Sequence, residues 1–255
     1  NLSDPWDIFT ASHYHTFTSS SVTDISFSGN GDQLLEMTGG NTVFHRSLTT
    51  PWDISTLQAQ QNSKTVSSGG VSLQVSSSGN AFYIMTGNTM QKYSMSTAWD
   101  PSSAVNATSN VFGSSAPQGI YGSSDYLFVA DNNGTADRLY KLPLYTNSDL
   151  TSFNTSQDPI VQNYINLNTL STPSADPRGV YFKNDGTRMY IADRSSGYIR
   201  QYDLSTAWDT TTIQSKNRLA MSNCESIFID RRGENVHIVS LGKIRELSLD
   251  TKWSS

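Results

Sequence analysis

Apolar and polar positions alternate most clearly between residues 179 and 220. GVYFK at 179–183 is a short alternating run, and NDGT at 184–187 supplies an Asp-Gly hairpin turn. RMYIAD at 188–193 reads as a second strand and RSSG at 194–197 as another turn. YIRQYDL at 198–204 is a third strand. STAWD then marks a corner, and a polar, β-prone stretch to about 220 forms a fourth. The pattern therefore predicts one antiparallel unit of four strands.

The same order recurs along the chain. The inner strands are DISFS (24–28), GVSLQVS (70–76), GIYGS (119–123), GVYFK and SIFID (226–230). The second strands are QLLEMT, AFYIMT, YLFVAD, RMYIAD and NVHIVS. Outer strands are expected at about 8–19, 54–67, 101–113, 150–165 and 210–221. The first outer strand precedes any inner triplet, and the last triplet has none after it. Residues 1–20 should therefore close the ring by pairing with 243–249, which removes a free sheet edge.

The corner phrase sets the period. Trp6, Trp52, Trp99, Trp208 and Trp253 are spaced by 46, 47, 109 and 45 residues. The long gap contains a degenerate copy, LPLYTNSDLTSF at 142–153, with Asn147 expected in the Trp place. A period near 46 fits propeller blades of roughly 40–50 residues. The sequence predicts an all-β, five-bladed β-propeller in one domain, with blades at about 21–67, 68–114, 115–165, 176–221, and 222–255 plus 1–20. The Trp residues read as structural: a large ring buried against the neighbouring blade, with Ser, Thr and Asp bonding backbone groups at the corner.

Composition narrows the function. Charged residues are 15% of the chain against a usual quarter, net charge is −5, and the 17 Lys and Arg are scattered. A nucleic-acid partner is not expected, because phosphate neutralisation needs clustered cations. Membrane insertion is not expected either, since no stretch approaches about 20 apolar residues. The single Cys224 excludes an intrachain disulfide, and no metal motif or cofactor signature is visible. The start at Asn1 suggests a processed protein or a segment of a longer one.

The phrase Y-x-L-S-T-x-W-D-x-S-T after F-x-x-D-G-x-x-M-Y, best seen at 179–212, resembles the propeller repeats of bacteriophage virion proteins. The resemblance is notably to tail or capsid fibre components of marine phages. The resemblance runs over nearly the whole chain as repeats. It implies a non-enzymatic structural or host-attachment module on a virion surface, with other virion proteins or a host-surface glycan as partners. Secreted bacterial proteins use similar repeats, so a secreted protein is the alternative.

Departures from the repeat carry the candidate chemistry, because repeated positions hold the fold. About fourteen extra residues fall within 155–176, where Tyr164, Asn166 and Asn168 either contact a partner or belong to a tolerated surface insertion. The loop DNNGTAD sets Asp131, Asn133 and Asp137 around Gly134, like the start of a calcium loop. Calcium needs 6–8 oxygens, and no bidentate Glu follows, so a solvated hairpin tip is the preferred reading. Residues just before the inner strands should crowd the channel mouth, among them Asp24, Asp176, Arg178 and Glu225. Converging carboxylates Asp24, Asp176 and Glu225 would suit a glycoside hydrolase. Against that, Arg178 and Glu225 are expected to pair across neighbouring blades.

Overall fold

The computed structural model describes residues 6–19, 21–67, 69–113, 116–134, 136–153, 164–170 and 173–249. Strand β1 (Ala11–Thr18) comes first and stands apart from the strands that follow it. Blade one is β2 (Val22–Phe27), β3 (Gln33–Thr38), β4 (Thr42–Ser47) and β5 (Ser63–Thr65). Blade two is β6 (Gly70–Val75), β7 (Ala81–Thr86), β8 (Thr89–Met95) and β9 (Ala104–Val111). Blade three is β10 (Pro117–Gly122), β11 (Tyr126–Asp131), β12 (Arg138–Pro143) and β13 (Tyr164–Asn166). Blade four is β14 (Pro177–Phe182), β15 (Arg188–Asp193), β16 (Tyr198–Leu204) and β17 (Ile213–Ala220). Blade five is β18 (Cys224–Ile229), β19 (Asn235–Ser240) and β20 (Lys243–Leu249), with β1 on its outer edge. Ala11 pairs with Leu249 and Thr18 with Lys243, so the two ends of the chain share one sheet. The molecule is a five-bladed β-propeller of four-stranded antiparallel blades.

Every inner strand carries a register shift between its first and third residues. The third residues are Asp24, Ser72, Gly119, Gly179 and Ser226, and they link the blades into a closed ring. Asp24 accepts from Ser72 Oγ at 2.8 Å and from Ser226 Oγ. Ser72 Oγ in turn accepts from the Ile120 amide at 3.1 Å. A Cβ on Gly119 would meet the Arg178 carbonyl, and one on Gly179 would meet Ser226 Cα at 3.0 Å. Glycine is needed at these two positions because one backbone lies directly against the next.

The core lies between blades. Phe128 and Ala130 of blade three pack with Val180, Phe182 and Ile191 of blade four, and Leu35 and Met37 of blade one with Leu73 and Phe82 of blade two. Fully burying each such side chain is worth about 1.5–3 kcal/mol, which is why second strands are apolar on both faces.

The corner phrase has a complete local explanation. The Trp52, Trp99 and Trp208 amides donate to the carbonyls of Gly31, Gly79 and Gly186 in the first hairpin turn of the same blade, at 2.8–3.0 Å. Each indole lies over that glycine so closely that a Cβ there would overlap the ring, and each glycine has φ between +71° and +79°. The three Trp residues themselves have φ between +63° and +70°. The following Asp caps a short turn: Asp53, Asp100 and Asp209 accept from the amides of Ser55, Ser102 and Thr211 at 2.9–3.0 Å. The last hydroxyl of the phrase closes the corner, as Thr56 Oγ1, Ser103 Oγ and Thr212 Oγ1 each donate to the Asp carbonyl at 2.8 Å. Trp6 covers Gly233 in blade five in the same way. The indoles also reach the preceding blade: Trp52 lies 6.1 Å from Phe228, and Trp208 6.0 Å from Phe128. Trp253 lies outside the described residues.

Two expectations shift. In blade three Ser148, not Asn147, holds the Trp place: its amide donates to the Ser124 carbonyl at 2.8 Å, its φ is +61°, and Asp149 follows as the cap. The tryptophan's absence removes the landmark, although Asp149 still marks the place directly before it. The blade's outer strand is Tyr164–Asn166 rather than 150–165. Residues 150–153 still belong to the corner, where Leu144 bridges Phe153. Measured from Ser148 to Val180 the interval is 32 positions, against 19 after Trp6, Trp52 and Trp208 and 21 after Trp99, so thirteen residues rather than fourteen are extra over the common spacing.

Candidate functional site

The two ends of the propeller axis differ. At one end open the loops between second and third strands and the passages into the inner strands. A broad cavity there is lined by Thr23, Gly70, Gln118, Arg178, Arg194 and Glu225. Most of its charge is already paired. Asp176 is buried and receives Arg178 Nε at 2.7 Å, Arg194 Nε at 3.0 Å, Ser195 Oγ at 3.0 Å and Asn132 Nδ2 at 2.6 Å. Burial alone would push its pKa up, but the two guanidiniums and Ser195 outweigh burial and hold it below the usual carboxylate range. Glu225 is half-buried and pairs with Arg194 at 3.5 Å. The expected Arg178–Glu225 pair is replaced by this arrangement: Arg178 turns to Asp176 and to Gln118 Oε1 at 2.5 Å. Arg194, on the turn after β15, takes the role instead.

Asp24 lies one layer deeper. It is 6% exposed and lines the cavity at the opposite end of the axis from Glu225. Burial raises its pKa from 3.8 to about 6, against the opposing hydrogen bonds of Ser226, Leu73, Ser72 and Ile25. The register shift turns residue 24 inward, so Asp24, Asp176 and Glu225 do not converge on one space. Asp24 is the tie between blades five, one and two.

The insertion residues are engaged locally. Tyr164 packs 5.5 Å from Tyr140, with the Arg138 guanidinium 4.4 Å from its ring. Asn166 caps the turn Leu167–Thr169 by accepting from the Asn168 amide at 2.9 Å. The Asn168 side-chain amide donates to Asp137 Oδ2 at 3.0 Å and to the Ser174 carbonyl. Asp131 and Asp137 are buried while Asn133 is exposed, so the three do not surround a common point. Burial raises the pKa of Asp137, opposed by Asn168. Among the described residues no group of three or more His, Cys, Asp or Glu is placed to hold a metal ion.

The other end of the axis carries the first hairpin turns and the Trp corners. A cavity of about 550 Å³ opens there, within the 300–1,000 Å³ range of small-ligand sites. Its floor is the second ring of inner-strand residues, Ser26, Gln74, Tyr121, Tyr181 and Phe228. One wall is the corner of blade three, Thr146 to Leu150, with Ser123 and Ser124. In the regular blades an indole covers that turn. Here Ser148 is too small to do so, and the space stays open. Facing this wall is the serine-rich first turn of blade two, Ser76 to Asn80. Lys92 and Asp149 pair across the blade boundary at 2.8 Å. Lys92 and the Thr151 hydrogen bonds overcome burial and lower the pKa of Asp149.

Sequence reading looked for function at the mouth and passed over this cavity. The signal was present in the third corner, which loses its Trp and its turn glycine together.

No protein-family model matches the chain, and no curated protein matches it. The fold resembles that of a functionally unknown protein from Desulfotomaculum acetoxidans DSM 771, with a TM-score of 0.53 at 12% identity. That match covers 87% of this chain and spans 63% of the other. A chain in the crystal structure of the mitotic checkpoint complex aligns with a TM-score of 0.48 at 9% identity, over 88% of this chain and 60% of that one. The likeness to the Desulfotomaculum acetoxidans protein concerns the fold alone.

Proposed function

We propose that the chain is a non-enzymatic interaction module, displayed on a virion surface, that binds a host-surface glycan or docks to another virion protein. One observation carries the non-catalytic part. The carboxylates a hydrolase would use are committed elsewhere: Asp24 accepts four hydrogen bonds, three of them across blade boundaries, and Asp176 is held by two arginines. A glycosidase needs one carboxyl free to donate a proton beside a second one free to attack or to activate water. The virion placement rests on the repeat phrase. The low charge and the Ser- and Asn-rich surface suit contacts with sugars or protein at small entropic cost.

The test pairs binding with turnover. Purified protein added to host cells is expected to adhere and to slow particle adsorption, while surface polysaccharide incubated with it gains no reducing ends. Glycan cleavage that disappears in Asp24→Asn, Asp176→Asn or Glu225→Gln would overturn the reading.

A further inference from the structure

Tyr121 stands out in the floor of the cavity beside blade three. The five floor residues occupy equivalent positions on the inner strands, and four of them are accounted for. Ser26 Oγ accepts from the Val75 amide at 3.2 Å. Gln74 bonds both backbone groups of Gly122, at 2.6 and 2.9 Å. Tyr181 donates its hydroxyl to the Ile229 carbonyl at 2.6 Å. Phe228 has no polar group to satisfy. Tyr121 is packed among Tyr181, Phe182 and Trp208, with ring centroids 5.3–6.3 Å away. Its hydroxyl has no hydrogen-bond partner among the described residues. Burial raises its pKa, and no hydrogen bond opposes the rise. The residue is partly exposed and lines the cavity, so a ligand hydroxyl can reach this unpaired phenol.

The surroundings indicate what kind of ligand. Ser77, Asn147 and Asn184 offer hydroxyl and amide groups at the exposed rim. Trp99 adds a partly exposed aromatic face. Lys92 and Asp149 neutralise each other, and Asp24 is saturated by donors. Arg231 lies over Gly29 at the edge, with no carboxylate against it among the described residues. Hydroxyl and amide donors beside aromatic faces, with little net charge, match the alternating polar edges and apolar faces of a sugar ring.

We propose that this cavity is a saccharide site in which Tyr121 hydrogen-bonds a sugar hydroxyl, the opening being created by the missing tryptophan of blade three. The inference rests on the interaction-module reading and specifies the face and ligand class of that module. Arg231 at the rim gives an acidic sugar an added contact without being required by a neutral one.

The test uses the whole chain on an array of neutral gluco-, galacto-, manno- and N-acetylglucosamine oligosaccharides, with uronic-acid oligosaccharides as a second set. Binding by the wild type is expected. Tyr121→Phe, which keeps the ring and removes only the hydroxyl, should weaken binding about tenfold with an unchanged melting temperature. The pair Ser124→Gly with Ser148→Trp, which rebuilds a regular corner, should abolish binding while the fold is retained. Arg231→Gln should weaken the uronic-acid set alone. Wild-type binding that survives both Tyr121→Phe and the rebuilt corner would overturn the site while leaving the module reading intact. A wild type that binds neither sugar set would overturn the saccharide inference. If that protein still slows particle adsorption, the module reading stands on a protein partner.

Discussion

The corners of blades three and four are built on the same scaffold and differ in one decision. In blade four Trp208 covers Gly186, Asp209 caps the turn, and Thr212 ties back to Asp209. In blade three Asp149 and Ser152 make the same capping contacts, yet Ser148 replaces the indole and Ser124 replaces the glycine. The two differences suit each other: an indole needs a turn residue without a Cβ, and the shorter turn at Ser123–Tyr126 presents no left-handed glycine for an indole to cover. The hydrogen bonds hold the fold, and the indole decides whether the corner is shut. A repeat can therefore open a cavity at one blade without losing the backbone geometry of the ring.

The largest effect should come from removing a cover. Trp52→Ala deletes a ring that is 7% exposed and touches two blades, at an expected cost of about 3–5 kcal/mol in urea denaturation. Ser148→Ala should cost under about 0.5 kcal/mol, as expected away from packed sites. Equal losses at the two corners would end the comparison. Gly186→Ala is next, at about 3 kcal/mol, because it combines a left-handed φ of +72° with overlap onto Trp208. Ser124→Ala, at the matching place in blade three, should be nearly silent.

The corners also differ in what clasps them from the preceding blade. Glu246 Oε2 accepts from the Ile54 amide at 2.8 Å, and His237 Nε2 meets the Trp52 carbonyl at 2.9 Å. Blade three is held instead by Tyr83, whose hydroxyl donates to the Ser148 carbonyl at 3.2 Å, and by Lys92. Burial raises the Glu246 pKa from 4.5 to about 6 and lowers that of His237 from 6.5 to about 4. For Glu246 the folded state binds the proton more tightly than the unfolded chain. Its contribution is full below pH 4.5 and is lost as pH rises through 6. His237 acts in the opposite sense, contributing above pH 6.5 and losing that contribution as pH falls through 4. The two offset each other between pH 4.5 and 6. Glu246→Gln should therefore make stability rise with pH over that window by about 2 kcal/mol relative to wild type, the equivalent of about 1.5 pK units. Tyr83→Phe should shift the level of stability without changing its slope. The caps matter less than the covers: Asp209→Ala should lower the melting temperature less than Trp52→Ala or Gly186→Ala, with the cavity unaffected.

Most of the fold is legible in the sequence because strand periodicity, Asp-Gly turns and the Trp-Asp phrase all report local geometry. The ring closure follows from counting outer strands, and β1 pairs with β20 as that count requires. Locating the ring of inner residues was harder. The register shift after the first residue of each inner strand sends Asp24 inward and leaves Glu225 at the mouth, and no sequence period marks a bulge. At the third corner the structure places Ser148 rather than Asn147 at the Trp position, a one-residue difference that arises where the landmark indole is absent. The cavity itself depends on which polar groups find partners across blades. Tyr121 and Tyr181 look alike in the sequence, and only the three-dimensional arrangement separates the bonded hydroxyl from the unbonded one.

The most direct test maps a bound oligosaccharide by backbone amide chemical shifts, using the strongest array-selected sugar. The account predicts perturbations clustered at residues 121–124 and 146–150, with Arg178, Arg194 and Glu225 unmoved. Perturbations centred on those three residues, at the opposite end of the axis, would contradict it.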